Sequence, residues 1–242
     1  MRNRAFTFVE VLVVLLILAV LIAMLLPALR RTKNSAEDIQ SLSAIRQMHG
    51  AVTLYTHDHG LTYPFFGVPG NPEAGIWING FHQSSGLPGG HQFFMQHQSL
   101  YVSALVKYLA GPMDTPSGPA FYQTHHPDRE TPENLYVTGI VYSHSFIASP
   151  AFWKDGGPHE ARYVQSTRVS MVRHPPRKVL FAYFNPTLYA ENSVIIGFVD
   201  GSTRKEQRNM SGSITPDPLS PFKLNNRAPG LLTRNGVLGI DY

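Results

Sequence analysis

Few residue groups in this chain could do chemistry, and type and spacing decide among them. Glu10 is the most conspicuous, a carboxylate placed directly ahead of Val11–Leu29, nineteen apolar residues counting Pro27. An acid drawn to the centre of a membrane span costs up to about 2.5–3.5 kcal/mol. A helix that only anchors has no use for it; the alternative is a carboxylate solvated at the headgroup level. Eleven histidines raise metal binding next, with His49, His57-Asp58-His59 and His125-His126-Pro127-Asp128 as the groupings. Zinc sites need three or four converging ligands, commonly at i,i+4 or short-loop spacing, and no HExxH is present. Solvated loop histidines are expected instead, with no metal and no cofactor.

Nucleophilic catalysis finds as little support. Ser143-His144-Ser145 lies in a strand-like run whose alternation accounts for it, and there is no G-x-S-x-G. No enzymatic activity is expected. Two basic groups, Arg173, Arg177 and Lys178, and Arg204, Lys205 and Arg208, stand near Tyr183 and Phe184. Aromatics among cations suit single-stranded nucleic acid, but charged turns flanking strands explain them too, and nucleic acid is not an expected partner. The chain has no cysteine, which excludes disulfides, thiol nucleophiles and CxxC metal sites.

The elements that must position these groups follow from composition. Ala5–Leu29 holds 22 apolar residues in 25 positions, leaving about 38% in the other 217. That is enough for one domain of ordinary size. Charged residues make up only 15%, with 20 Gly and 19 Pro, which points to a loop-rich β-containing domain rather than a helical bundle. From Arg30 onward 18 Lys and Arg face 15 Asp and Glu, a surplus too small to argue for a polyanionic partner.

Val11–Leu29 is long enough to cross about 30 Å of hydrocarbon as a helix. It exceeds the apolar core of about 7–15 residues usual in a cleaved secretory signal. Arg2 and Arg4 precede it, and Arg30, Arg31 and Lys33 follow it, so charge counting alone does not orient it. Beyond it Ile39, Leu42, Ile45, Met48, Val52 and Tyr55 recur at helical spacing as one stripe. Gly60 supplies a stop and Pro64 prevents resumption. One helix from Phe6 to about His59 is expected, near 80 Å long by rise per residue, with a kink at Pro27.

The rest reads as loops and short strands. Gly67–Gly90 and Pro112–Pro132 are expected to be loops, with a short helix over Leu100–Ala110 between them. Strands are expected within Leu135–Ala148, Lys178–Phe184 and Val194–Val199, with a two-residue hairpin at Asp200-Gly201. Asn209–Tyr242 should be an extended tail with an edge strand at Gly236–Tyr242. The fold class is α+β: a long N-terminal helix, transmembrane in its first half, packed on a small antiparallel β-sheet with long loops.

Arg4-Ala5-Phe6-Thr7-Phe8-Val9-Glu10 followed by the apolar run resembles the N-terminal signal of type IV prepilins and type II secretion pseudopilins. Three further features are similar: Pro27, 21 positions after Phe6, the Tyr63-Pro64 pair after the helix, and Phe198-Val199-Asp200-Gly201. Departures are Ala5, where glycine is usual, Phe8-Val9 for the commoner Leu-Ile, and Ala190, where large pseudopilins often carry histidine. The resemblance implies four segments. Residues 1–5 are a leader cut between Ala5 and Phe6, and the new Phe6 amine is methylated by the same peptidase. Residues 6–29 are the membrane half of the helix, 30–60 its amphipathic half, and 61–242 a loop-rich globular β domain with a C-terminal tail.

Glu10 and Pro27 are then assembly residues, Glu10 pairing with the Phe6 amine of a neighbouring subunit. The implied function is a structural subunit of a secretion pseudopilus or type IV pilus-type filament. Implied partners are the prepilin peptidase, other pilin or pseudopilin subunits, an inner-membrane assembly platform and membrane lipid. The implied location is a single pass in the inner membrane, N-terminus cytoplasmic, domain periplasmic or extracellular. Calcium, bound in a C-terminal loop of some family members, is not expected, since Asp200, Asp217 and Asp241 lack D-x-D-x-D-G spacing. A DNA-binding minor pilin and a signal-anchored enzyme are the other classes kept open.

Overall fold

The computed structural model describes residues 8–78, 81–83, 97, 101–109, 121–123, 136–138, 140–154, 160–183, 193–207 and 235–241. Helix α1 runs Phe8–Asp58 without interruption, so the expected single helix is present, with Phe6 outside the described residues. It passes through two units, residues 1–39 and 40–242. In the second unit α1 buries Ser41, Ala44, Ile45, Met48, Ala51, Val52, Tyr55 and Thr56. Their spacing of three and four places them on one face. Ile39, expected on this stripe, is 68% exposed. The buried face instead centres on Ala44, Ile45 and Met48, where small neighbours let the helix approach the sheet.

The helix stops as its residues dictate. Gly60 takes φ +66°, and the Leu61 amide donates to the Thr56 carbonyl at 2.7 Å. That is the six-to-one bond of a Schellman C-cap. Leu61 follows with φ +60°, a left-handed conformation rarely adopted by a bulky side chain.

Nine strands follow among the described residues. β1 (Gly67–Val68), β2 (Asn71–Ile78) and β3 (Phe81–Gln83) form an antiparallel sheet, which corrects the loop expected over Gly67–Gly90. The Pro69-Gly70 pair is the turn of a hairpin in which Val68 faces Asn71. With φ +77° at Gly70 it has the type II pattern, proline first and glycine second. Helix α2 (Val102–Leu105) continues as a 3₁₀ turn to Tyr108, shorter than the helix expected over Leu100–Ala110. β4 (Phe121–Gln123), inside the second expected loop, pairs with β5 (Tyr136–Thr138).

The main sheet is β6 (Ile140–Tyr142), β7 (Val179–Tyr183), β8 (Ser193–Phe198) and β9 (Thr203–Gln207), antiparallel in that order. Every residue of β7 and β8 is buried, so the sheet has an interior on both faces. Ile195, Leu180, Phe181 and Tyr183 join the cluster that contains the α1 face. Val179, Ala182, Val194, Ile196 and Phe198 form a second cluster. A bulge between Val179 and Phe181 changes which residues of β7 face which cluster. The β8–β9 turn is also a correction: Gly201 N–H bonds Phe198 O, Phe198 N–H bonds Ser202 O, and Gly201 has φ +87°. It is therefore a three-residue loop with a glycine bulge rather than a two-residue turn.

Gly197 of β8 lies close against α1. A Cβ there would collide with Cγ2 of Ile45. Gly197→Ala should lower stability by about 1–3 kcal/mol through overpacking, read by denaturant unfolding of the detergent-solubilised chain. Adding Ile45→Ala, which removes that methyl, should make the pair less than additive; full additivity would place the cost elsewhere.

Candidate functional site

The first half of α1 is the candidate site. Its residues are apolar because lipid, or other helices, is the only medium that rewards them. Phe8 is 80% exposed and Met24 70%, and Val11–Leu29 is exposed throughout. α1 is the helix among the described residues long and apolar enough to cross a membrane, and none of that stretch is buried within the chain. Glu10 lies in the first turn, where a carboxylate meets the positive end of the helix dipole. Pro27 lies within the unbroken helix; its ring removes one N–H and leaves the Ala23 carbonyl without its usual donor. Just past the apolar run, Thr32 Oγ1 donates to Ala28 O at 3.1 Å and Lys33 pairs with Glu37 at 3.8 Å. Ala5 and Phe6, the expected cut, lie outside the described residues.

The other sequence candidates are scattered and serve the fold. His49 Nε2 sits 2.8 Å from the Val199 carbonyl, at the β8–β9 turn. His59 stacks on Tyr55 with ring centroids 3.8 Å apart. Asp58 accepts a 2.7 Å bond from Tyr108 Oη and lies 3.5 Å from Lys107; Tyr108 is the main cause holding its carboxyl below the ordinary range. His125, His126, Asp128 and Asp217 lie outside the described residues. Among the described residues no three His, Asp or Glu side chains are grouped to hold a metal ion. Asp200 accepts from the Ser202 amide and hydroxyl at 3.0 and 2.7 Å, closing its turn.

Three expectations fail here. Ser143-His144-Ser145 is no strand: a 3₁₀ turn spans His144–Phe146, and all three residues are buried. The edge strand expected over Gly236–Tyr242 is absent among the described residues, since Gly236–Leu238 forms a 3₁₀ turn with Val237 buried and Gly236 against the Trp153 indole. Lys178 is no surface cation. Its side chain is fully buried, as is that of Asp241. Nζ lies 3.2 and 3.4 Å from the two carboxylate oxygens and donates to Ser145 Oγ at 3.1 Å. Val179 N–H donates to Asp241 Oδ2 at 2.8 Å, and Asp241 N–H to Arg177 O at 3.0 Å. Burial pushes the Lys178 ammonium below the ordinary lysine range, with Asp241 opposing. The proposed basic group thus loses Lys178, while Tyr183 is buried and Phe184 and Arg208 lie outside the described residues. Arg204 in β9 is paired with Glu206 and stands over the Phe198 ring at 4.5 Å.

The N-terminal helix is therefore the feature that the domain leaves unexplained, and its sequence settles what kind of signal it carries. Residues 1–26 match the family model of the prokaryotic N-terminal methylation motif. No curated protein and no solved structure matches the chain. The motif covers Ala5, Phe6, Glu10 and most of the apolar run, and stops one residue before Pro27. A prepilin-type signal joined to a long exposed apolar helix is consistent with a type IV prepilin or pseudopilin-like protein, anchored in a membrane through that helix. The α+β architecture, a long helix packed on small antiparallel sheets, agrees with it.

Proposed function

We propose that the chain is a pilin-like structural subunit, cut by a prepilin peptidase between Ala5 and Phe6 and assembled through its N-terminal helix into a pseudopilus or type IV pilus-type filament. The observation that carries this is the continuity of the methylation motif with a helix none of whose apolar stretch is buried within the chain. An apolar surface of this size needs a second medium. Lipid serves before assembly and neighbouring helices serve after it. Before assembly the subunit sits as a single pass in the inner membrane, with Phe6 cytoplasmic and the domain outside; the assembly platform and other pilin-type subunits are its partners. The role is structural rather than catalytic. Glu10 sets the axial register by pairing with the Phe6 amine of the adjacent copy, which offsets the cost of its charge.

The test is the N-terminus of the protein purified from cells that contain a prepilin peptidase. Intact-mass and peptide analysis should find residues 1–5 missing and one methyl group on Phe6. A chain that keeps Met1–Ala5, or is cut elsewhere, would overturn the reading.

A further inference from the structure

The charges flanking the span are arranged in bands. Arg30, Arg31 and Lys33 follow Leu29 within one turn of α1, and all three are exposed. Glu37 and Asp38 come next, about 6 Å further along the axis from Lys33 to Glu37 at 1.5 Å per residue. The order is apolar, then cationic, then anionic. Of the three cations, Lys33 is the one in an ion pair among the described residues, an exposed contact with Glu37. Exposed pairs of this kind are weak. A bilayer presents the matching order of hydrocarbon, phosphate and water. The nineteen apolar residues Val11–Leu29 span about 28 Å as helix, so with Glu10 at one edge of the hydrocarbon the cations meet the phosphates of the other.

We propose that Arg30, Arg31 and Lys33 form a collar that binds the headgroup phosphates of anionic lipids at the C-terminal end of the span. The occupant is a lipid rather than free phosphate because the site is continuous with an apolar surface that only acyl chains or helices can cover. The inference rests, for its timing alone, on the proposed processing. Before the cut, Arg2 and Arg4 balance the collar across the span. Removing residues 1–5 takes both away and leaves one new amine, at Phe6, against the one carboxylate of Glu10 four positions on, so that end keeps no net charge. The processed subunit then has its net cationic grip at one end only, the end nearest the domain, and is held there until it is extracted. Long basic side chains reach phosphate while their stems cover apolar surface.

The probe is native mass spectrometry of the purified full chain with phosphatidylglycerol and phosphatidylcholine in equal amounts. Each cation near an anionic surface contributes about fivefold. The processed wild-type chain should therefore retain phosphatidylglycerol over phosphatidylcholine by at least tenfold. Arg30→Gln/Arg31→Gln/Lys33→Gln, all at exposed positions, should bring the ratio to parity without loss of membrane insertion. An unchanged ratio in the triple variant, or displacement of phosphatidylglycerol by millimolar inorganic phosphate, would overturn the lipid collar. The same spectra report whether residues 1–5 are present. In the leader-bearing chain the triple variant should keep part of its preference through Arg2 and Arg4. A chain that never loses its leader would sink the processing while the triple variant still decides the collar.

Discussion

Glu10→Ala should enter the membrane at the wild-type level and fail to appear in filaments. Insertion depends on Val11–Leu29, and removing a charge from its edge can only make that transfer easier. Assembly is different, because a helix stripped of lipid must find its axial position against other helices, and an apolar surface slides without strong preference. A single buried carboxylate opposite a single amine removes that degeneracy, since any other register leaves an unpaired charge at about 3–5 kcal/mol. A loss of that size is more than a hundredfold at about 1.4 kcal/mol per decade. Pulldown and electron microscopy of sheared filaments from cells producing the variant would show it. Glu10→Gln, equal in size, should fail as Glu10→Ala does. Normal filaments from either variant would refute the register role.

Asp241→Ala should be the most damaging single change in the domain. It leaves the Lys178 ammonium, which also donates to Ser145 Oγ, fully buried without its carboxylate. It also takes the acceptor from the Val179 amide at the start of β7. Breaking a buried pair from one side costs about 3–5 kcal/mol, which at about 2–4 °C per kcal/mol for a domain of this size lowers Tm by roughly 10 °C. Lys178→Met with Asp241→Asn should recover most of the loss. Methionine fills the lysine stem without a charge, and asparagine keeps an oxygen for Val179 N–H. Thermal unfolding of the detergent-solubilised variants decides the matter. If Asp241→Ala melts with the wild type, the ion pair is not what holds residues 235–241 in place.

What could be read from the sequence was whatever depends on neighbours along the chain. The long helix was legible from its apolar run, its later stripe and Gly60, because each is a local statement about solvent and backbone. β7 and β8 were legible as short β-rich runs between breakers. The hairpin β1–β2 was not, since Pro69-Gly70 serves equally in a loop and in a type II turn, and only the pairing of Val68 with Asn71 separates them. The burial of Lys178 is hidden in the sequence for a related reason. Beside Arg173 and Arg177 it belongs to a basic surface, until Asp241, 63 residues away, brings a counter-charge into the interior. The N-terminal signal was legible as a type of signal, because it is a run of consecutive residue types, and the family model matches over residues 1–26.

Residues 235–241 also set a clock. Val237 completes the apolar interior, Gly236 lies against Trp153, and Asp241 neutralises a lysine that opens a central strand. A growing chain that has not yet delivered this segment carries β7 with an uncompensated ammonium and an incomplete core. Such an intermediate has little to gain from closing early. Closure of the domain is therefore conditional on residues 235–241, whose docking removes the charge penalty at β7 and fills the interior in one event.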